Sequence, residues 1–484
     1  MMSDISQVIE KLYDEIRQVY LEDSYPWVIG FSGGKDSTAT LQLIWYAIRD
    51  LPKEKRQKKI YVLSSDTLVE TPVVVDHIIN SLDSIDRVAR EEGLPFSSHK
   101  VEPEMDDTFW INLIGKGYPA PSQRFRWCTD RLKIQPANKF ILDRTSSGQQ
   151  VIMVLGARKD ESASRAQVIK NSKQNSQKVS GIKGSLIRPH TSLANAYVYT
   201  PIENFSTKDV WEYLLTWPCP WGNKNRDLAA MYKSAQDGEC PLVIDKSTPS
   251  CGNSRFGCWV CTVVSADRSM EAMIDNGEEW LMPLLDFRDF LASTQDLKEK
   301  YKVRDYKRRN GRIAIKDRDV ENSSYIPGPY KFEFRKKILR NLLNAEKKAK
   351  ENSPLMEFSL INNDELHEIR RIWQMEEHDW EDSVPTIYRE VYEKDLNWLR
   401  DDVSCLNASD KELLSEICEN HEVPTGLVAK LLDLERQMSG MSRRAAVYRK
   451  IDNVFEEDWR TEKEAKQLEF EGIEYLEQSQ KNSK

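Results

Sequence analysis

Long apolar runs are missing from this 484-residue chain. No stretch approaches the roughly 20 consecutive apolar residues that a bilayer span requires, so no membrane role is expected. Cysteine and histidine are scarce, at 8 and 6 residues. The opening "MMSDISQVIEKLYDEIRQVY" lacks the charged n-region, apolar h-region and small-residue cleavage site of a secretory signal. The expected location is therefore cytoplasmic. In that reducing setting the cysteines are expected as metal ligands, nucleophiles or buried thiols rather than disulfides. An excess of positive charge is also missing. Lys and Arg number 70 against 78 Asp and Glu, giving a net charge of −8. This argues against indiscriminate nucleic-acid binding by the whole surface and leaves that role to local basic stretches. Internal repeats and long low-complexity linkers are absent too.

What is present suffices for more than one core. The chain is 39% hydrophobic, carries 13 Trp and exceeds the length at which a single core keeps growing. Residues 4–22 have amphipathic helical spacing. Residues 27–31 read as a short apolar strand and 36–48 as a helix. "KKIYVLSSDT" (58–67) is a second strand, followed by a helix from Pro72 to about Glu92. "SSHKVEPE" suggests a third strand. "VIMVLGARKD" (151–160) is a buried strand ending in Gly and polar residues. "PIENFSTKDVWEYLLTW" contains a strand end and a helix capped by the Ser206-x-x-Asp209 pattern. Alternating strands and helices predict a parallel α/β sheet, and such sheets bind ligands beyond the carboxyl ends of their strands. The polar clusters at 32–37, 64–70 and 156–165 all follow strands, so they are expected in one crevice. From about residue 266 the strand signals fade and the remainder reads as charged helices. The expected division is a nucleotide-handling domain over 1–235, a cysteine-rich module over 236–275 and a helical region over 276–484.

Ser32-Gly33-Gly34-Lys35-Asp36-Ser37 joins a strand to a helix. Two glycines let backbone N–H groups approach an anion, the helix N-terminus adds its positive dipole end, and Lys35, Ser32 and Ser37 add charge and hydroxyls. It is not a Walker A loop, because Ile29 and Asp36 occupy the positions of that pattern's first Gly and its Ser or Thr. The loop resembles the pyrophosphate-binding loop of the N-type ATP pyrophosphatases. That resemblance implies an adenine nucleotide alpha-hydrolase type of Rossmann-like fold, ATP cleaved between its α- and β-phosphates, and a Mg²⁺ ion that Asp36 helps to hold. "SSDTLVETP" (64–72), "RFRWCTDRLKIQP" (124–136), "LGARKDESASR" (155–165) and "TPIENFSTKDVWEYL" (200–214) resemble, in order, segments of the PAPS reductase-like family. The resemblance implies that Asp66 and Gly156 line the ATP site. It also implies that Arg158 and Arg165 face phosphoryl or sulfate oxygens and that Glu161 fixes an Arg.

"CPLVIDKSTPSCGNSRFGCWVC" spaces Cys240, Cys251, Cys258 and Cys261 as C-x₁₀-C-x₆-C-x₂-C. Four thiolates in so short a window suit structural Zn²⁺ or an iron–sulfur cluster, and spacing alone does not choose between them. Cys128 is a fifth candidate. Either it or Cys240 is left over to carry sulfur, and Arg126 and Arg131 beside Cys128 favour a thiolate there. Cys219, Cys405 and Cys418 read as packing thiols. Together these segments resemble the DndC-type sulfurtransferases of bacterial DNA phosphorothioate modification. The resemblance implies a 4Fe-4S cluster, with Zn²⁺ as the alternative. It further implies a cysteine desulfurase as sulfur donor, DNA as substrate and other subunits of a modification complex as partners. On this reading Lys35, Asp36, Cys128, Arg158 and Arg165 are catalytic. The basic stretches 124–139, 158–188 and 301–318 are then candidate DNA contacts. The rival readings are a sulfonucleotide reductase, a tRNA-thiolating enzyme, or a nucleotide- and cluster-sensing module without turnover. No C-terminal Glu-Cys-Gly-type motif of the reductases is found: Cys405 lies in "DDVSCLNAS" and Cys418 in "SEICENHE".

Overall fold

The computed structural model describes residues 4–145, 150–161, 187–190, 193, 195–234, 257–314, 325–355, 357–396, 408–438 and 445–460. Strands β1 (Trp27–Gly30), β2 (Ile60–Ser65), β3 (Phe96–Val101), β4 (Val151–Val154), β5 (Ile187–Pro189) and β6 (Ala196–Tyr199) form one sheet in the order β3-β2-β1-β4-β6-β5. All pairings are parallel except that of β5 with β6. The sheet is doubly covered, which is why β1 and β4 are buried along their whole length rather than alternately exposed.

Alternation along β1 assigns its two faces. Trp27 and Ile29 join a core with Ile9, Ile16, Leu41, Ile44 and Trp45 of helices α1 (Asp4–Glu22) and α2 (Lys35–Arg49). Val28 joins the opposite core with Phe140, Ile141, Met153 and Val198. Within the first core Trp45 stacks on Phe96 at 4.6 Å between ring centres. Helix α3 (Pro72–Glu92) starts on its proline and stops at Gly93, whose φ of +62° is left-handed backbone that glycine adopts without strain.

The expected cap at Ser206 is present as a reciprocal capping box on the helix Thr207–Thr216. Ser206 Oγ accepts from Asp209 N–H at 3.2 Å, and Asp209 Oδ2 accepts from Ser206 N–H at 2.7 Å. Replacing Ser206 by Ala is expected to cost about 1 kcal/mol in urea unfolding. A loss below a few tenths would show that Asp209 holds the helix end alone.

The chain divides into two compact units. One comprises 1–109, 121–291 and 348–360, and the other 110–120, 292–347 and 361–484. The first carries the sheet. Among the described residues the second contains no sheet strand and is built from helices, including Asn363–Glu376, Ser383–Tyr392, Ala408–Asn420, Thr425–Met438 and Ala445–Phe455. The segment 110–120 is held there by Trp373 Nε1, which donates to Ile114 O at 3.0 Å, and by Arg335 Nη1, which donates to Gly115 O at 2.6 Å. Among the described residues no helix is long and apolar enough to cross a membrane.

Candidate functional site

The sheet order reverses direction at β1, which pairs with β2 on one side and β4 on the other. The loops after these three strands therefore leave the sheet side by side, as ligand crevices in α/β sheets require. After β1 the chain turns through Gly33, whose φ is +72°. A Cβ there would lie 3.1 Å from Ile78 Cγ1 and 3.3 Å from His77 Cδ2, so both backbone and packing demand glycine. The loop is closed by its own hydroxyls. Ser37 Oγ accepts from Ser32 N–H at 3.2 Å, donates to Gly34 O at 3.0 Å and lies 3.1 Å from Ser32 Oγ. Gly34 caps α2 without a side-chain hydrogen bond, which leaves the dipole end of that helix uncovered by any capping group of its own.

The first turn of α2 carries a buried charge cluster. Lys35, Asp36 and Arg158 are 3%, 1% and 2% exposed. Asp36 Oδ1 accepts from Arg158 Nε at 2.6 Å, Asp36 Oδ2 from Arg158 Nη2 at 3.4 Å, and Lys35 Nζ lies 3.4 Å from Asp36 Oδ2. Lys35 Nζ also sits 5.1 Å from the centre of the Tyr232 ring. Arg158 Nη1 also lies 3.6 Å from Asp160 Oδ2, a largely exposed carboxylate, so among the fully buried groups two cations share one carboxylate beside a helix N-terminus, an arrangement suited to an anion. Asp36 thus sets its carboxylate between Arg158 and Lys35 and orients both. Glu161 Oε1 accepts from the backbone N–H of Arg158 at 3.1 Å, and the Arg158 guanidinium is held by Asp36.

Gly156 brings the β4 loop onto this turn. A Cβ at Gly156 would stand 2.7 Å from Asp36 O and 3.0 Å from Ser37 N, so the two backbones approach closely only because residue 156 has no side chain. Behind the β4 loop, Arg188 Nη2 donates to Glu203 Oε2 at 3.1 Å, and Lys159 N–H donates to Glu203 O at 2.9 Å.

The loop after β2 carries the cysteine end of the site. Asp66 accepts from Leu68 N–H at 2.9 Å and from Lys100 Nζ at 3.1 Å, which holds Leu68 at a left-handed φ of +62°. Glu70 accepts from Thr67 N–H at 2.9 Å and forms an antiparallel bridge with Cys258, and Trp259 N–H donates to Val69 O at 2.9 Å. Burial pushes the Glu70 carboxyl up to about 7, opposed by the nearby Lys133 and reinforced by Asp66. Cys258 Sγ lies 3.4 Å from Thr67 Oγ1. Burial pushes its thiol well up, Lys133 opposes this, and Glu70 and Cys128 add to it. The Cys128 and Cys258 sulfurs are therefore within electrostatic reach of each other. Cys261 N–H donates to Cys258 O at 3.0 Å, the tight turn expected of the Cys-x-x-Cys pair.

Of the residues singled out by sequence, Ser32 to Ser37, Gly156 and Arg158 come together around the turn into α2, while Cys258 sits against the loop after β2 with Cys261 one turn further on. Asp66 lies at the foot of the β2 loop. Arg165, Cys240, Cys251 and Cys405 lie outside the described residues. Arg131 Nε lies 3.4 Å from Asp107 Oδ1. Cys219 behaves as a packing thiol, pushed up to about 12 by burial, and Cys418 is buried. No group of three or more His, Cys, Asp or Glu side chains that could hold a metal ion occurs among the described residues. Sequence reasoning missed His77, which hydrogen-bonds the backbone of Gly33, and Tyr232, whose hydroxyl accepts from Lys35 N–H at 3.3 Å. Both lie in helical stretches with no motif around them. It also missed Glu70 and Lys133, although both stand inside segments that the family resemblance had marked.

Residues 26–263 match the phosphoadenosine phosphosulfate reductase domain, and residues 409–456 match a small protein found in certain Dnd DNA modification systems. An uncharacterized protein of Methanocaldococcus jannaschii is 29% identical over 206 residues, 43% of this chain. The match spans only 35% of that relative's length. Among solved structures, the PAPS reductase of Candida auris in its phosphate complex is 13% identical, with coverage of 51% of this chain and 98% of that one and a TM-score of 0.27. The U34-tRNA thiolase NcsA of Methanococcus maripaludis, with its 4Fe-4S cluster, is 15% identical, with coverage of 60% and 81% and a TM-score of 0.26. The reductase domain over 26–263, joined in one chain to a Dnd-system segment, makes this protein a DndC-like member of the PAPS reductase family.

Proposed function

We propose that the chain is an ATP-dependent sulfurtransferase of DNA phosphorothioate modification. It would activate a backbone phosphate and replace a non-bridging oxygen by sulfur. The observation that carries this reading is the pairing, on one chain, of the reductase-type domain with a segment otherwise found in Dnd DNA modification systems. The geometry supports it with an anion-suited turn at 32–37 and a thiol group beyond the neighbouring strand of the same sheet.

In the reaction a DNA phosphate oxygen attacks the α-phosphorus of ATP, and pyrophosphate leaves into the turn formed by Ser32, Gly33, Gly34 and Ser37. Lys35 and Arg158, oriented by Asp36, stabilise charge developing on the phosphoryl oxygens. Arg165 is assigned the same role. A persulfide on Cys128, charged by a cysteine desulfurase, then attacks the DNA phosphorus, and AMP departs with the original oxygen. A thiol cleaves the resulting S–S bond, leaves the sulfur on phosphorus and is restored by an external dithiol. Asp66 and Gly156 shape the ATP side, and Mg²⁺ accompanies the ATP phosphates. Cys240, Cys251, Cys258 and Cys261 would hold the 4Fe-4S cluster, and the adjoining soft donors Cys258 and Cys261 fit it. Such a cluster supplies a thiophilic centre next to the sulfur carrier. The chain acts in the cytoplasm with other subunits of the modification complex.

Mass spectrometry of nuclease-digested host DNA tests this. Phosphorothioate-linked dinucleotides are expected to vanish on deletion and to return with the intact gene, but not with Ser32→Ala or Cys258→Ser. Their absence from a strain expressing the gene would overturn the reading. It would favour sulfonucleotide reduction to sulfite, the reading that the name of the matched domain suggests.

A further inference from the structure

The helical unit encloses a cavity of about 590 Å³, within the range of ligand sites. Its lining holds seven Lys and Arg side chains against five Asp and Glu, a local positive surplus in a chain of net charge −8. One wall, from Gly426 to Val454, belongs to the segment matching the Dnd small protein, and the facing wall to the basic stretch after residue 304.

The acids are largely committed. Glu377 Oε1 lies 2.5 Å from Arg335 Nη2, Glu457 Oε2 lies 2.6 Å from Lys430 Nζ, and Asp433 is bonded to His378 Nδ1. Lys307 and Arg308 form no ion pair among the described residues. Arg308 Nη1 donates to a backbone oxygen, Pro327 O, at 3.1 Å. Lys307 Nζ stands 5.1 Å from the Trp459 ring centre, and Lys430 Nζ stands 5.3 Å from the same centre. Burial pulls the Lys307 amine below its ordinary range, although Asp305, Asp458 and Glu457 oppose this, and Lys430 adds a smaller push in the same direction. Lys430 is paired with Glu457, so the cations of this wall without an ion pair among the described residues are Lys307 and Arg308, and an anion would be taken up there. His378 stands at the left-handed stop of the helix Asn363–Glu376, at φ +55°, and adds an Nε2 without a hydrogen-bond partner among the described residues.

We propose that this cavity binds phosphate groups, those of the DNA backbone being the physiological source. It would give the helical unit a grip on the strand that the sheet-bearing unit modifies. The proposal rests on the sulfurtransferase reading for the identity of the strand, but not for the chemistry of the cavity.

The test is fluorescence anisotropy of the full chain with a labelled 20-base-pair duplex between 50 and 200 mM salt. Each phosphate contact contributes about 0.9 to the slope of log affinity against log salt. The pair Lys307→Ala and Arg308→Ala is expected to lower that slope by about 1.8 and to weaken binding at least 10-fold at 100 mM salt. Lys307→Arg with Arg308→Lys should keep the slope, and Lys298→Ala with Lys302→Ala should leave it unchanged. Inorganic pyrophosphate should compete with the duplex in wild type. An unchanged slope in the Ala pair overturns the proposal, as does an equal loss in the Lys298 and Lys302 control. Failure of pyrophosphate to compete does so too. AMP release from ATP, measured in parallel, keeps the two readings apart. Its absence in wild type strikes the sulfurtransferase reading alone, while the salt slope still reports on the cavity.

Discussion

Arg158→Ala is expected to lower the stability of the sheet-bearing unit by about 3–5 kcal/mol, the usual cost of removing one partner of a buried ion pair. Asp36 is 1% exposed and takes two of its hydrogen bonds from the Arg158 guanidinium, at 2.6 and 3.4 Å. Without Arg158 it keeps Lys35, 3.4 Å away, as its nearby cation, and neither group can be rehydrated without opening the turn into α2. Arg158→Lys keeps the charge but not the two-pronged geometry, so it is expected to fall between wild type and Ala. Asp36→Asn alone leaves two buried cations facing each other and is expected to destabilise as well. Combining it with Arg158→Gln should recover part of the loss, because the double variant leaves Lys35 alone, rather than Lys35 and Arg158 together, as buried charge without Asp36. Urea unfolding of wild type, Asp36→Asn, Arg158→Gln and the double variant closes the cycle. A loss below about 1 kcal/mol in Arg158→Ala would mean that water reaches Asp36 and that the cluster is not a dry anion cradle. Pyrophosphate release should fall in all of these variants, since each alters the charge that the turn presents to a leaving group.

The parts of this architecture that were legible in the sequence are those written in local signals. Trp27 to Gly30 and Val151 to Val154 are short apolar runs followed by polar clusters, and both are buried parallel strands. The Pro72 start and the Ser206 capping box lie where proline and hydroxyl chemistry predict them. The turn at 32–37 was readable because glycine, lysine and hydroxyl residues at that spacing serve few other purposes. Long-range pairing was not readable. Nothing local to Asp36 announces that its partner lies 122 residues away. Glu70 stands in a marked segment, yet its burial against Cys258 depends on a chain that returns nearly 190 residues later. The antiparallel β5 spans three residues, too few for periodicity to register. The cavity of the helical unit is assembled from side chains between Lys116 and Trp459, and only its basic stretch could be read as such.

If the chain cleaves ATP as proposed, Gly156→Ala is expected to slow that cleavage by about 100-fold while leaving the chain folded. The added Cβ would stand 2.7 Å from Asp36 O, 2.8 Å from Asp36 C and 3.0 Å from Ser37 N. These are backbone atoms of the first turn of α2 and cannot swing away as a side-chain tip would. The loop after β4 and the helix must therefore separate by several tenths of an ångström or more. Overpacking of this kind costs about 1–3 kcal/mol, less than the unit can bear, so the fold survives. The damage falls on geometry. Arg158 lies two residues beyond Gly156 and reaches Asp36 across this same contact, while Ser37 closes the phosphate turn through Ser32 and Gly34. Displacement of the loop moves the guanidinium relative to the turn, and an error of about 1 Å in a charge-stabilising group can cost 100-fold in rate. The same substitution at Gly93, where a Cβ would meet nothing within 4 Å, carries backbone strain at φ +62° but no displacement of the site. It is the control: Gly93→Ala should lower the melting temperature without slowing pyrophosphate release from the folded protein. Equal rates for Gly156→Ala and wild type would show that the close approach of the two backbones is packing alone. The positive charge at the turn would then act without being fixed in place.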